Sequence, residues 1–271
     1  MMHRFWADFT ARDFAALERE SLVAVLPIGA TEQHGPHLPL SVDRAILDGI
    51  VAAAAPQIPE SLPALFLPTM PVGKSNEHNA WPGTLTVSAQ TLISLLMEIG
   101  DSVAAAGVRK LVILNSHGGQ VAPMDIAARD LRVKHRMLTV AANWFAHGVP
   151  DGLFPENERR FGIHAGDMET SVMLALHGEL VQMEHARDFR PAIADIDQAY
   201  SHVGLSPAGK LGWMAQDMNA AGACGNAAAA TAEKGRAVIE HAARQLVSLL
   251  QEVHRMPLSI LDTAADPDAA R

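Results

Sequence analysis

The sequence predicts an α/β protein: a three-layer αβα sandwich on a mainly parallel sheet, with a single domain over residues 1–255 and a C-terminal tail at 256–271. Short continuous apolar runs, typical of strands buried on both faces, recur along the chain. Amphipathic stretches of helical period separate these runs at the spacing of βαβ units. The 271 residues are 49% hydrophobic and 19% charged, which is the composition of a globular domain.

The first quarter of the chain reads as helix, strand, helix, strand. Residues 11–20 form an amphipathic pattern, and the run LVAVLPIGA at 22–30 predicts a buried strand. Residues 44–55 place apolar side chains on one helical face, and Pro56 ends this helix because proline lacks the amide donor. The run ALFLPT at 64–69 predicts the second strand.

The second quarter supplies a loop, a long helix and the clearest strand. Residues 70–83 are rich in Gly and Pro and predict a loop. Ser88 is placed to cap a helix of regular apolar spacing, which Gly107 ends. The run KLVILN at 110–115 then predicts the third strand.

The remaining elements continue the alternation. We expect a helix around 122–132, a strand around 137–143 and a helix that starts near Asp167. A last long amphipathic helix is expected at about 227–253, before the tail. Strands and helices that alternate in this way favour right-handed crossovers and parallel pairing.

Charge and cysteine content exclude several classes of protein. The chain has 21 Lys and Arg against 30 Asp and Glu, a formal net charge of −9, so it lacks the basic surface that nucleic acids or anionic lipids require. A single cysteine cannot form an internal disulfide. The first residues show no signal-peptide core, and no apolar run approaches the 18 or so residues that span a bilayer. We therefore expect a cytoplasmic protein with no nucleic-acid and no membrane partner.

Three polar clusters follow predicted elements at the edge of the sheet where ligands collect in such folds. Glu32 and His34 come directly after the first strand, and Asp43 opens the next helix. His117 follows the third strand, and Glu169 lies in the first turn of a later helix. Carboxylate oxygens and imidazole nitrogens suit Zn, Mn or Fe, so the clusters together indicate a metal site.

These segments resemble the creatininase (creatinine amidohydrolase) family. The resemblance rests on three motifs: GATEQHGPHLP at 29–39 followed by Asp43, NSHGGQ at 115–120, and HAGDMETS at 164–171. Two further stretches match, GKSNEHNAWPGT at 73–84 and ATAEKG at 230–235. The match runs in order over roughly residues 20–250 and implies the α/β fold already expected.

The resemblance also implies a centre of two divalent metal ions, Zn, Mn or Fe. Carried over by position, five side chains would hold them: Glu32 and His117 on one ion, His34 and Glu169 on the other, and Asp43 as the bridge. His164 matches the family histidine that transfers protons. The family further implies a homo-oligomer, often a hexamer, that acts on a small molecule.

Candidate substrate-binding residues surround this centre. Ser75 matches a substrate-contacting serine, and Gly118 and Gly119 let backbone approach a ligand closely. Glu77 and His78 either line the pocket or form a polar loop that bonds its own backbone. We interpret Asp167 as a helix-start residue, His37 as a pocket or supporting residue rather than a ligand, and Cys224 as an unreactive thiol.

The implied activity is that of a metal-dependent amidohydrolase, which hydrolyses a C–N bond of a small cyclic amide or formamide with water activated by two metals. Alternatives within the family are a formamidopyrimidine deformylase, a peptidase of a cofactor precursor and a C–C-cleaving sugar-ring hydrolase. A non-catalytic oligomeric protein is the alternative outside enzymes. Members that hydrolyse creatinine carry Tyr-Glu where this chain has Gly118-Gly119, and an aromatic residue where it has Arg160, so creatinine itself is disfavoured.

Overall fold

A computed structural model describes residues 3–205 and 208–262. Four parallel strands form its central sheet in the order β2-β1-β3-β4. In chain order they are β1 (Val23–Ile28), β2 (Ala64–Phe66), β3 (Lys110–Asn115) and β4 (Leu138–Asn143). The chain moves outward from β1 to β2 and then returns across β1 to β3. This reversal of strand order lies between β1 and β3, where doubly wound folds place their ligands.

Helices cover both faces of the sheet. In chain order they are α1 (Ala11–Ala15), α2 (Val42–Ala54), α3 (Ala89–Ala105), α4 (Val121–His135), α5 (Glu156–Phe161), α6 (Asp167–His177), α7 (Ile193–Ala199), α8 (Ala215–Met218) and α9 (Ala232–Arg255). A short antiparallel pair, β5 (Asp188–Phe189) and β6 (Gly225–Asn226), lies outside the main sheet. Within the described ranges, no helix has the length and apolar character needed to cross a membrane.

The side chains of β1 show why the protein has three layers. Val23 and Val25 pack into a core with α2, α6 and α9, whereas Ala24 and Leu26 pack into a second core with α3 and α4. Both faces of the strand are therefore buried, which explains why its sequence reads as a continuous apolar run. The predicted αβα sandwich on a parallel sheet is confirmed.

The ends of three elements differ from the predictions. Helix α1 stops at Ala15 instead of near residue 20, and none of its five residues is fully buried, so packing stabilises it little. Strand β2 ends at Phe66, two residues before Pro68. Helix α9 begins at Ala232 and not at 227, because the side chain of Thr231 caps it by accepting a hydrogen bond from the amide of Lys234.

The start of the expected tail is attached to the body of the protein. Leu258–Leu261 form a 3-10 helix, and Leu261 is buried. The backbone carbonyl of Leu261 accepts hydrogen bonds from Arg132 and Arg136 of the α4 region. Residues 263–271 of that tail lie outside the described part of the chain.

A buried lysine donates hydrogen bonds to the free backbone carbonyls at the carboxyl end of α9. The ammonium of Lys110, at the start of β3, donates to the carbonyl oxygens of Val253, His254 and Met256. We expect Lys110→Met to lower the free energy of unfolding by about 1–3 kcal/mol, because these carbonyls lose a charged donor. Urea unfolding measures this effect. Lys134→Met, which removes an exposed ion pair with Asp101, should change stability by less than about 1 kcal/mol, and equal losses would contradict the capping role.

Candidate metal centre

The carboxyl ends of β1 and β3 bring the three polar clusters into one place. Glu32 and His34 follow β1, and His117 follows β3, its neighbour in the sheet. The first turn of α2 supplies Asp43, and the first turn of α6 supplies Glu169. Both carboxylates thus lie at helix N-termini, where the helix dipole favours negative charge.

One group of three ligand atoms is formed by Glu32, Asp43 and His117. Nδ1 of His117 lies 3.1 Å from Oε1 of Glu32 and 3.8 Å from Oδ2 of Asp43. All three side chains are buried.

A second group is formed by His34, Asp43 and Glu169. Nε2 of His34 lies 3.7 Å from Oδ1 of Asp43 and 3.9 Å from Oε2 of Glu169. Asp43 therefore turns one oxygen toward each group. The two groups and their shared carboxylate have the division of ligands that the family resemblance implies.

Several ligand atoms in these groups have no hydrogen-bond partner. Both carboxylate oxygens of Glu32, Nε2 of His34 and Oδ2 of Asp43 are buried and unpaired. Burying such atoms without partners is costly, and they converge on one place instead of being scattered. The donor set of carboxylate and imidazole fits divalent cations, which would satisfy these atoms together.

The acid–base behaviour of the cluster also indicates a need for positive charge. Burial lowers the pKa of His34, but Asp43 and Glu169 outweigh burial and raise it to about 9. Burial raises the pKa of Glu169 to about 7, and burial together with the nearby Glu32 raises the pKa of Asp43. Burial thus disfavours the charged forms of Asp43 and Glu169, and a bound cation would favour them.

Two backbone features hold the ligand loops in place. A Cβ at Gly29, just after β1, would lie 2.8 Å from the amide nitrogen of Arg44, so glycine allows β1 to end against the start of α2. Ala165 has φ of 54°, a left-handed conformation that is strained for a non-glycine residue. Its amide donates to Oε2 of Glu169 at 2.5 Å, which ties the strained residue to a candidate ligand.

His164 forms a third group of possible ligand atoms with Glu32 and His34. Its orientation is set by Gln33. The amide of Gly35 donates to Oε1 of Gln33, which identifies the other side-chain atom as the nitrogen donor. That nitrogen lies 2.8 Å from both the Gly222 carbonyl and Nδ1 of His78, and 3.3 Å from Nε2 of His164. The two shorter contacts use both of its hydrogens.

The backbone carbonyl of Gln33 fixes the tautomer of His164. Its Nε2 lies 2.8 Å from the backbone carbonyl of Gln33, to which it donates. Nδ1 of His164 is then the unprotonated nitrogen, and it lies 3.8 Å from Oε1 of Glu32. Burial, with help from His34 and His78, holds the pKa of His164 well below its usual range, so the ring is neutral.

The segment 73–79 lies against the outer side of His117. Ser75 is fully buried, and its Oγ lies 3.5 Å from Nε2 of His117. Oε1 of Glu77 lies 3.2 Å from the same nitrogen. His78 is buried, and its ring lies tilted against that of His164 with the centroids 4.4 Å apart. Its Nε2 lies 3.4 Å from Oε1 of Glu32. Glu77 and His78 thus contact the candidate centre. The segment also bonds its own backbone, since the amide of His78 donates to the Ser75 carbonyl.

Gly118 and Gly119 differ in their surroundings. Gly118 is exposed, and a Cβ there would meet nothing within 4 Å. A Cβ at Gly119 would collide with Oε1 of Glu77. Gly118 therefore faces open space, whereas Gly119 packs against Glu77.

Polar side chains beneath His117 hold its loop. Oδ1 of Asn115 accepts from the amide of His117, and Nδ2 of Asn115 donates to the His117 carbonyl. The buried Gln120 donates to Oδ1 of Asn115. Gln33 and Gln120 were not among the predicted site residues, although both stand inside the motifs that carry the resemblance.

Other candidates lie around the centre without joining it. Asp167 begins α6 and accepts from Ser171 and Lys234. His37 bonds Thr170 through Nε2. The thiol of Cys224 is buried, and burial raises its pKa to about 12, which makes it a poor nucleophile.

Trp144 follows β4, and Arg160 stands where creatinine-hydrolysing members carry an aromatic residue. Both side chains have hydrogen-bond partners outside the candidate ligand groups. Trp144 is buried, and its indole nitrogen donates to Oγ of Ser116 at 3.0 Å. The guanidinium of Arg160 is exposed and pairs with Asp197.

Known proteins share this sequence pattern. The creatininase family model, described as creatinine amidohydrolase, matches residues 7–250. The chain is 38% identical over 162 residues to the mycofactocin precursor peptide peptidase of Mycobacterium ulcerans (strain Agy99), a match that covers 58% of this chain and only 59% of that relative. It is 30% identical over 263 residues to creatinine amidohydrolase of Pseudomonas putida, covering 91% of this chain and 94% of the relative. It is 27% identical over 281 residues to 3-dehydro-scyllo-inosose hydrolase of Thermotoga maritima (strain ATCC 43589 / DSM 3109 / JCM 10099 / NBRC 100826 / MSB8), covering 96% and 87%.

Solved structures share the fold. A Bacteroides fragilis NCTC 9343 protein named for creatinine amidohydrolase superposes with a TM-score of 0.77 at 29% identity, over 95% of this chain and 99% of that one. A creatininase variant of the Zn–Zn type gives 0.72 at 26% identity, and a Mn creatininase gives 0.71 at 25%. Each of these two matches covers 94% of this chain and 100% of the other.

Proposed function

The chain belongs to the creatininase family of amidohydrolases, and from this membership we propose that it hydrolyses the C–N bond of a small cyclic amide or formamide at a centre of two divalent metal ions. The ions would be held by Glu32, His34, Asp43, His117 and Glu169. The single observation that supports this most strongly is Asp43, whose two oxygens face two separate groups of buried ligand atoms. Zn and Mn are the first metals to test, since creatininases are known in Zn–Zn and Mn forms.

The two ions, when bound, would supply Lewis acidity that lowers the pKa of water and polarises a substrate carbonyl. The protein's own residues would then hold the reacting groups and move protons. The ligand set is preorganised, because its members lie on loops and helix starts that the sheet fixes in place. These members are Glu32, His117, His34 and Glu169.

His164 is the residue that we propose for proton transfer. Its neutral ring presents Nδ1 to the centre, so it can accept a proton from the attacking water. As the C–N bond breaks, the same nitrogen returns the proton to the leaving nitrogen of the substrate. Water is consumed, and the products are a carboxylate and an amine.

A short peptide is the second candidate substrate, favoured by the free space at Gly118. Gly118 leaves free space beside His117, Trp144 is turned into the core, and Arg160 pairs outward with Asp197. A substrate larger than creatinine would meet no side chain at this position. A relative named as a peptidase of a precursor peptide is consistent with this substrate class.

Removal of metal is expected to abolish hydrolysis reversibly. Dialysis of the intact protein against a chelator should lower turnover to background, because the substrate carbonyl is no longer polarised. Restoring Zn or Mn should recover activity at about two equivalents per chain. Turnover that persists after complete removal of metal would rule out the metal-dependent reaction.

A substrate panel separates the candidates within the family. Creatinine, lactams, formamidopyrimidines and short peptides test C–N hydrolysis, and a cyclic inosose tests C–C cleavage of a sugar ring. We expect turnover of a cyclic amide or formamide and none of creatinine. Turnover of the peptides alone would favour the second candidate instead, and turnover of the inosose alone would place the protein with the sugar-ring hydrolases.

We further propose that the protein acts as a homo-oligomer, on the strength of its family membership. Light scattering on the purified protein tests this proposal. One chain has a mass of 28.9 kDa, so a hexamer would be readily distinguished from a monomer.

A further inference from the structure

Glu77 faces a side of His117 that neither metal group uses. It lies on a 3-10 helix, Asn76–His78, and its side chain is only 11% exposed. Oε1 lies 3.2 Å from Nε2 of His117, and Oε2 accepts from the ammonium of Lys74 at 2.8 Å. The carboxylate is thus held in place from both ends.

The surroundings of Nε2 determine which nitrogen of His117 carries a proton. Besides Glu77, the carbonyl of Lys74 lies 3.0 Å away, and Oγ of Ser75 lies 3.5 Å away. Carbonyl and carboxylate oxygens only accept hydrogen bonds, so Nε2 must donate. Nδ1 is then the nitrogen left to face Glu32 and Asp43 as a ligand.

Gly119 is the residue that makes this contact possible. A Cβ at this position would lie 1.5 Å from Oε1 of Glu77 and 2.5 Å from Nε2 of His117. At the neighbouring Gly118 an added Cβ would touch nothing. The carboxylate of Glu77 therefore occupies the space where a side chain at 119 would stand.

We propose that Glu77 is a positioning residue for the ion bound by Glu32, Asp43 and His117, and that Gly119 is required so that Glu77 can reach His117. This inference rests on the proposed function, because it assigns a role to Glu77 within that metal centre. It also replaces the predicted role of Glu77 as a substrate contact. A carboxylate behind a ligating histidine fixes its tautomer and ring orientation and strengthens it as a ligand.

Zinc titration of the metal-free, full-length protein against a chromophoric chelator tests the proposal. We expect Glu77→Ala to weaken one of the two zinc sites by about 10- to 100-fold and to leave the other unchanged. Glu77→Gln should weaken the same site less, because its amide oxygen still accepts from Nε2. Glu98→Ala, which removes an exposed glutamate on α3, is the matched control and should bind both ions as the wild type does.

Gly119→Ala supplies a second route to the same effect. Its added methyl displaces the carboxylate of Glu77, so in the wild-type background it should weaken the same zinc site. In the Glu77→Ala background the methyl still lies 2.5 Å from Nε2 of His117, so Gly119→Ala should add a further loss, smaller than its loss in the wild type. The difference between the two losses in a double-mutant cycle measures the coupling between Glu77 and Gly119, and equal losses would contradict it.

The possible results separate this inference from the proposed function. If the wild type binds two zinc ions and Glu77→Ala binds both equally well, the inference fails and the proposed function stands. If Glu77→Ala weakens both sites together with a lower thermal midpoint, Glu77 has a general structural role and the inference fails. A wild type that binds no zinc would overturn the proposed function and the inference with it.

Discussion

Replacing Asp43 with asparagine is expected to remove both metal equivalents and to lower turnover by about 10³-fold or more. Asp43 offers one oxygen to each group of ligand atoms, so this single change weakens both. The lost rate corresponds to the several kcal/mol that a metal contributes to stabilising a charged transition state. Elemental analysis of the purified variant measures its metal content. The rate is measured with whichever substrate of the panel the wild type hydrolyses.

The same variant should also change stability in a predictable direction. Burial and the nearby Glu32 raise the pKa of Asp43, so its charge disfavours the folded state at neutral pH when no metal is present. Asparagine removes that charge, and the chelated variant should therefore resist urea at least as well as the chelated wild type. Asp125→Asn, at an exposed position on α4, is the control and should change neither metal content nor turnover. Full metal occupancy in Asp43→Asn would disprove the bridging role.

Replacing His164 with alanine is expected to lower turnover by about 10²- to 10⁴-fold while both metals stay bound. A positioned acid–base group contributes a factor of this size. His164 belongs to neither group that Asp43 bridges, and Gln33 holds it with Nδ1 toward the centre. Steady-state kinetics and elemental analysis on one preparation separate the two effects.

The control for this prediction is His177→Ala. His177 lies exposed at the end of α6, 3.6 Å from Glu179, and its loss should leave turnover unchanged. Near-normal turnover in His164→Ala would remove this residue from the mechanism. Loss of metal from the same variant would instead make it a ligand, through the group that it forms with Glu32 and His34.

The parallel core of the fold could be predicted because its strands are buried on both faces. Residues 110–115 form β3 as predicted, since every side chain of that strand is buried and the apolar run needs no alternation. The caps Thr10 and Ser88 begin their helices by accepting hydrogen bonds from backbone amides, which is local chemistry. Such elements carry their structural information within a few residues.

The short elements between residues 156 and 226 could not be predicted in the same way. Helix α5 and strand β6 are held together by Glu158, a buried carboxylate that accepts from the amides of Asp167 and Asn226. Asn226 lies 68 residues further along the chain, so no local pattern reveals the contact. Tertiary contacts, not periodicity, determine where these elements form.

The candidate ligands could be located because parallel strands end at one edge of the sheet. The pairing of β1 with β3 then brings Glu32 and His117 together, as their positions after the two strands suggest. The supporting residues could not be assigned from spacing alone. Gln33 reaches His164 across 131 positions, and the link between Glu77 and His117 depends on the missing side chain at Gly119.

The centre also illustrates a conflict between stability and function. Two buried carboxylates, two buried imidazoles and the partly buried Glu169 lie together, with several of their atoms unpaired. A packed apolar cluster would stabilise the fold better than such groups do. Their convergence at the sheet edge is therefore best explained by binding of cations, which stabilises the folded state when they are present.

The most direct test of this account is anomalous diffraction from crystals of the zinc-loaded protein. The account predicts two adjacent zinc peaks that share the carboxylate of Asp43. One should be completed by Glu32 and His117, and the other by His34 and Glu169. A single peak, or peaks that do not touch Asp43, would contradict it.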